Sequence, residues 1–255
     1  MASEVVLETV DLARHFGGLW AVAGVSVRVC AGEVVGIVGP NGSGKTTFLN
    51  LVTGYLKPDR GKVIYLGREI TGLGPRQVSR LGVARSFQIP QLYAGMTVLE
   101  NILMALAVRE GQALEFFRPL KTAGRVKKAE ELLERFGLSK LLNVKVSALG
   151  GGERKLLDVA IAFASEPKLL LLDEPTSGIS SAERYQVIET VLRALAEPVG
   201  GRERAVVFIE HDLEVVRRYA RRVLVFFEGK VLADGPAAQV LEDESLRQRV
   251  FGARG

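Results

Sequence analysis

An α/β fold is predicted for this 255-residue chain by three observations. An apolar run, Val34-Val35-Gly36-Ile37-Val38, leads into a glycine-rich stretch and then a helical pattern. A second apolar run, Leu169–Leu172, ends in two acids, Asp173 and Glu174. Between the two lies Thr97–Gly137, whose helical character separates a β-rich first part from an α/β second part.

The elements follow in order. Val5–Val10 and Val25–Val29 read as short strands ahead of Val34–Val38. Gly61–Gly67 is another strand followed by a turn, and Val83–Phe87 is one more. Thr97-Val98-Leu99-Glu100 is a capping-box sequence before the apolar Ile102-Leu103-Met104. Lys127–Phe136 is charged and helical by period, and Gly137 stops it. Ser147–Ser165 holds a glycine turn and an apolar helix. Lys168–Leu172 is a buried strand, Ala182–Glu197 a helix, and Ala205–Ile209 a second buried strand. Val223–Phe227 and Val231–Asp234 flank Glu228-Gly229-Lys230, a hairpin signal. Pro198–Arg204 is the loosest connection.

The glycine-rich stretch is Gly39-Pro40-Asn41-Gly42-Ser43-Gly44-Lys45-Thr46, followed by Thr47. Its glycines let consecutive backbone N–H groups turn inward on a phosphate. Lys45 supplies a point charge for β- and γ-phosphates, and Thr46 a hydroxyl for Mg²⁺. The helix that begins near Lys45 adds the positive end of its dipole. A bound nucleoside triphosphate is implied. Asp173, at the tip of a buried strand, is placed to hold Mg²⁺ through water, and Glu174 to polarise an attacking water. Ile209-Glu210-His211-Asp212 repeats the pattern of buried strand and polar tip, with His211 as a donor to the γ-phosphate. Gln88, after its own strand, is positioned to sense the metal and that water.

Composition narrows the class. Hydrophobic residues make up 47% and charged residues 25%, an ordinary globular balance. The net charge of +5 and pI near 9.4 come from scattered arginines without a basic run, so nucleic acid is not expected as a partner. A single cysteine, Cys30, excludes an internal disulfide framework and reads as a buried residue of a reducing compartment. Ser3-Glu4 and Glu8 interrupt any N-terminal signal pattern, and no stretch of 18 apolar residues exists. Mean hydropathy is +0.18, which points to large partner interfaces.

The order of Phe16, Gly39–Thr46, Gln88, a helical insert, Leu149-Gly150-Gly151-Gly152-Glu153, Asp173-Glu174-Pro175 and His211 resembles an ATP-binding-cassette (ABC) ATPase from Leu7 to about Phe251. The resemblance implies a P-loop cassette with an antiparallel β subdomain, a RecA-like α/β core and an α-helical subdomain. It forms a single domain over 1–255. Core and β subdomain occupy 1–88 and 166–255, and the Gln88 loop and helical subdomain about 89–165. It further implies two cassettes sandwiching two ATP molecules, each held by one chain's P-loop and the other chain's Leu149–Glu153 loop. Phe16 would stack on adenine. Mg²⁺ would be surrounded by Thr46, Gln88 and Asp173, with Glu174 as general base, His211 as γ-phosphate sensor and Lys45 stabilising charge.

Three further segments are similar to the Liv-type ATPases of hydrophobic amino-acid importers: His15–Leu19 with Ala21-Val22, Ile70–Leu73 with Leu81–Gln88, and Met96–Asn101. That similarity implies ATP-driven uptake of branched-chain amino acids, with urea or amides as the solutes of close relatives. It places the chain peripherally on the cytoplasmic face of the membrane. Its partners would be transmembrane permease subunits, a second and different ABC ATPase and, indirectly, an extracytoplasmic solute-binding protein. The surface around Gln88–Met96 would meet the permease, because its apolar loop Ile89–Tyr93 would otherwise expose Leu92 and Tyr93 without a partner. Two departures from the family pattern favour unequal sites in a heterodimer. Gly150 and Glu153 stand where Ser and Gln are usual, and Ile179-Ser180 where an apolar residue and Asp are. The other readings are a soluble ABC protein acting on DNA or ribosomes, disfavoured by the single cassette, and a low-turnover regulatory cassette.

Overall fold

The computed structural model describes residues 4–86, 91–110, 119–196 and 203–252. Strands β1 (Val5–Phe16) and β2 (Leu19–Cys30) form an antiparallel hairpin, closed at Phe16 opposite Leu19 by Gly17 and Gly18 at positive φ. Both strands run about twice as far as the alternating apolar pattern predicts. The reason lies in the register shift between Thr9 and Leu12, where Asp11 takes φ 48 and breaks the two-residue period. Strand β3 (Val34–Val38) follows, then β4 (Arg60–Tyr65), which pairs with β1, and the short β5 (Arg68–Glu69). The resulting four-stranded antiparallel sheet has the order β2-β1-β4-β5.

The second sheet combines β3 with β6 (Val83–Ser86), β7 (Leu169–Asp173), β8 (Ala205–Ile209), β9 (Arg222–Phe227) and β10 (Lys230–Pro236), in the order β10-β9-β3-β8-β7-β6. All its pairings are parallel except β9 with β10. Every residue of β7 and β8 is buried, which explains their unbroken apolar runs. Alternate residues feed two cores. Leu169 and Leu171 join the core under the antiparallel sheet, and Leu170 and Leu172 join the core under the helical part.

Helix α1 (Lys45–Val52) leaves β3, and α2 (Pro75–Arg80) precedes β6. Helices α3 (Val98–Arg109), α4 (Ala123–Arg135) and α5 (Gly151–Phe163) make up the helical part. The capping box forms: the Glu100 N–H donates to Thr97 Oγ1 at 3.2 Å, and the Thr97 N–H to Glu100 Oε2 at 2.9 Å. Helix α4 begins four residues before the predicted Lys127, because Thr122 caps it. Helix α6 (Ser181–Ala196) links β7 to β8, α7 (Leu213–Tyr219) links β8 to β9, and α8 (Ala237–Glu242) and α9 (Glu244–Phe251) complete the described chain. The sequence pattern gave no sign of α2, α7, α8 or α9. Helices of six to eight residues are too short to display a 3.6-residue period. Cys30 is half-buried rather than buried. Among the described residues no helix is long and apolar enough to cross a membrane.

The helical part is pinned to the sheet through Phe163. Its ring meets Phe136 edge-on at 5.6 Å, and the guanidinium groups of Arg204 and Arg135 lie 4.1 and 5.1 Å from its centroid. The same arginines reach the carbonyls of Pro167, Leu195 and Ala194. Phe163→Ala is expected to remove this joint and cost about 3–5 kcal/mol. A urea unfolding midpoint unchanged from wild type would contradict the assignment.

Candidate nucleotide-binding site

The phosphate loop is shaped by contacts that leave no room for side chains. Gly39 and Gly44 have φ of 148 and 101, and a Cβ on either would stand 2.1 Å from a backbone oxygen, Phe226 O or Ala21 O. Gly229, in the turn between β9 and β10, donates its N–H to Ser43 O at 3.0 Å. Both sheets therefore mould the loop. Helix α1 starts on Gly44 without a side-chain cap, leaving its first amides for an incoming acceptor. Lys45 is only 5% exposed, and its Nζ donates to Gly39 O at 2.8 Å and Pro40 O at 2.9 Å. Burial lowers its pKa, and the negative charges of Glu174 and Asp173 oppose that shift. Asn41, Gly42 and Thr46 are exposed and Thr47 half-buried. The Ser43 hydroxyl is buried with no hydrogen-bond partner among the described residues, an unusual cost that a bound anion would relieve.

Strand β7 delivers the two acids. Asp173 is its last residue, one position beyond the predicted end, and sits opposite Ile209 of β8. Its Oδ2 accepts from Arg85 Nη2 at 2.6 Å, while its Oδ1 is buried without a hydrogen-bond partner among the described residues. Glu174 then turns at φ 50, a left-handed conformation rare outside glycine. Its N–H donates to Ile209 O at 3.1 Å, and its Oε1 lies 2.8 Å from His211 Nε2. Glu174 and His211, predicted as separate contributors, thus form one hydrogen-bonded pair. The described residues contain no group of three or more His, Cys, Asp or Glu side chains fit to hold a metal. Mg²⁺ takes one or two protein oxygens and completes its shell with phosphates and water. A buried Asp173 oxygen and an exposed Thr46 hydroxyl fit that requirement.

Three neighbours escape the sequence reading. Arg85 lies on β6 beside Asp173. Lys155, on α5, is buried and donates to Glu174 O at 3.2 Å; burial lowers its pKa, and nearby Asp158, Glu210, Glu174 and Asp173 oppose this. Glu210 is buried, and its Oε1 accepts the Thr176 N–H at 2.9 Å and the Thr176 hydroxyl at 2.7 Å. Burial raises the Glu210 pKa. The position of Glu210 between a buried strand and His211 was the only sequence signal for it; Lys155 and Arg85 carried none.

The remaining predicted residues fall elsewhere. Phe16, 46% exposed at the hairpin tip, has the Arg14 guanidinium 5.0 Å from its ring centroid. Leu149 is buried, and Gly150 caps α5. Glu153 folds back, its Oε2 accepting the Gly150 N–H at 2.8 Å. Gly151 and Gly152 let α5 approach Ile179 and Val187, since a Cβ would lie 3.2 and 3.3 Å from them. Ser180 caps the start of α6, pairing with Glu183. Gln88, Ile89 and Pro90 lie outside the described residues. Leu92 packs partly against the core under the helical part, so it is not free on the surface as expected. Tyr93 is 58% exposed, its backbone held by the buried Asn101.

The sequence pattern of the ABC transporter family matches residues 22–177. The high-affinity branched-chain amino acid transport ATP-binding protein LivG of Escherichia coli is 33% identical over 98% of this chain and 99% of its own length. An ATP-binding cassette of an ABC transporter, crystallised in its ADP conformation, superposes with a TM-score of 0.83 at 33% identity, covering 96% of this chain and 97% of that one. A dimeric cassette in a post-hydrolysis state bound to ADP and Pi gives a TM-score of 0.75 at 26% identity, covering 91% and 98%.

Replacing Glu210 separates its hydrogen bonding from its charge. Glu210→Ala orphans the buried Thr176 donors and is expected to cost about 1–3 kcal/mol, while Glu210→Gln keeps an acceptor and costs less. Equal denaturation midpoints for the two variants would disprove this role.

Proposed function

The chain belongs to the ABC transporter family, whose cassettes hydrolyse ATP to drive transport, and on that premise we propose that it powers an importer of branched-chain amino acids. The observation that carries the catalytic reading is the 2.8 Å contact between Glu174 and His211 at adjoining strand tips, next to the Lys45 loop. Glu174 accepts a proton from the attacking water, and His211 holds that carboxylate and senses the γ-phosphate. Lys45 and the amides of Gly42–Thr47 bind the phosphates, and Phe16 stacks on the adenine. Thr46 and Asp173, with Gln88, hold Mg²⁺, which neutralises phosphate charge when bound. End-to-end likeness to a transport ATPase favours this reading over a DNA- or ribosome-directed cassette.

In this proposal the chain sits peripherally on the cytoplasmic face of the membrane, against permease subunits served by an external solute-binding protein. Tyr93 supports the docking part, as a large exposed ring on a loop fixed by Asn101. The second cassette of the sandwich is a different chain that carries the usual Ser and Gln in its counterpart of the Leu149–Glu153 loop. Glu153 supports that asymmetry, because its carboxylate already occupies the Gly150 N–H at the start of α5. An anion there repels a partner's γ-phosphate, and the missing serine hydroxyl removes a bond worth roughly 1.5–3 kcal/mol. Closure of the two cassettes around ATP shifts the permease between states.

Glu174→Gln is expected to bind ATP normally and hydrolyse it ~10²–10⁴ times more slowly. Wild-type turnover in that variant would exclude Glu174 as the base. Tyr93→Asp should abolish co-purification with the permease while sparing nucleotide binding; an intact complex would refute docking there. In a mixed dimer, loss of Lys45 should cost more turnover than loss of the partner's P-loop lysine. Equal losses, or full activity of this chain as a homodimer, would sink the asymmetric reading.

A further inference from the structure

We propose that Arg85 is the positioning residue of the magnesium site, locking the Asp173 carboxylate to the face of α1 that carries Thr46. This rests on the reading of Asp173 as the carboxylate that serves the metal.

The geometry is a three-way tie. Arg85 Nη2 donates to Asp173 Oδ2 at 2.6 Å, and Nη1 donates to Asn50 Oδ1, also at 2.6 Å. Side chains of Arg85 and Asp173 are 6% and 3% exposed, so the pair is shielded from water and ions. Asn50 follows Thr46 by four positions in α1, and residues so spaced lie on one helix face, one turn apart. The guanidinium therefore fixes Asp173 relative to the helix that presents the Thr46 hydroxyl. It engages one carboxylate oxygen and leaves the other, Oδ1, buried without a hydrogen-bond partner among the described residues. A planar fork can hold two acceptors at a set angle, which a lysine ammonium does far less well. Arg85 itself is fixed by its strand, where it pairs in register with Leu171 of β7. Its guanidinium also lies 6.0 Å from the Tyr55 ring centroid.

An ion pair that only fills space would affect stability. One that orients a ligand for the metal would affect metal affinity without affecting the nucleotide. The test uses the full chain with saturating ADP, and Mn²⁺ as a spectroscopic stand-in measured by electron paramagnetic resonance. Metal-free ADP affinity is read in parallel, in EDTA, from the fluorescence of Trp20, the chain's single tryptophan. Arg85→Lys is expected to weaken Mn²⁺ binding by about 10–100-fold with metal-free ADP affinity unchanged, and Asn50→Ala to weaken it by a smaller factor. Asp173→Asn controls for the premise. If it abolishes tight Mn²⁺ binding while Arg85→Lys and Asn50→Ala bind Mn²⁺ like wild type, Arg85 is structural and the proposal is overturned. If Asp173→Asn itself leaves Mn²⁺ binding intact, the metal reading of Asp173 fails and the proposal fails with it. Should Arg85→Lys not fold, Asn50→Ala decides, with wild-type Mn²⁺ affinity counting against the tie.

Discussion

Burial of a parallel sheet on both faces governs where this chain can do chemistry. The inner strands have water on neither side, so polar and charged groups appear where a strand stops. Val38, Asp173 and Ile209 end neighbouring strands at one edge of the sheet, and the phosphate loop, Glu174 and the pair Glu210-His211 follow them. The cost of leaving a polar atom unpaired in such a place is large, which gives the Ser43 hydroxyl and Asp173 Oδ1 their meaning. A second consequence is that the loop belongs to no single layer. Phe226 and Gly229 from one sheet and Ala21 from the other press on Gly39 and Gly44, so nucleotide contact is built into the joint between them.

What the sequence disclosed was local. Gly39–Thr46 carries its own geometry within eight consecutive residues, and the acids after β7 are announced by the strand that precedes them. These signals, with the interrupting helical segment, were enough for the fold. Apolar alternation ends early in the first two strands, because a bulge at Asp11 destroys it while the ladder continues. Helices α2, α7, α8 and α9 are too short to show a period.

Around the site, the illegible part is long-range. Arg85 and Asn50 meet Asp173 only through folding, and Lys155 reaches Glu174 from a different layer. Nothing about an arginine in a strand or a lysine in a helix marks it as buried. Charged side chains are normally outside, so pattern reading assigns them to the surface by default. Glu210 was visible only as part of a polar strand tip, and its neighbour His211 drew the chemical reading. Ser180 shows the opposite case. A residue that departs from the family pattern still has a local task as the cap of α6, so its identity is not free to vary for catalysis alone.

The backbone of Glu174 sets chemistry and conformation against each other. At φ 50 the position suits glycine or asparagine, yet it holds a carboxylate that meets His211, while its backbone carbonyl accepts from Lys155. With Glu174 as the proposed base, residues that relax the backbone there would also remove it, so evolution toward robustness alone would discard the acid. A collection of variants ranked by heat resistance would then gather inactive proteins at this one position.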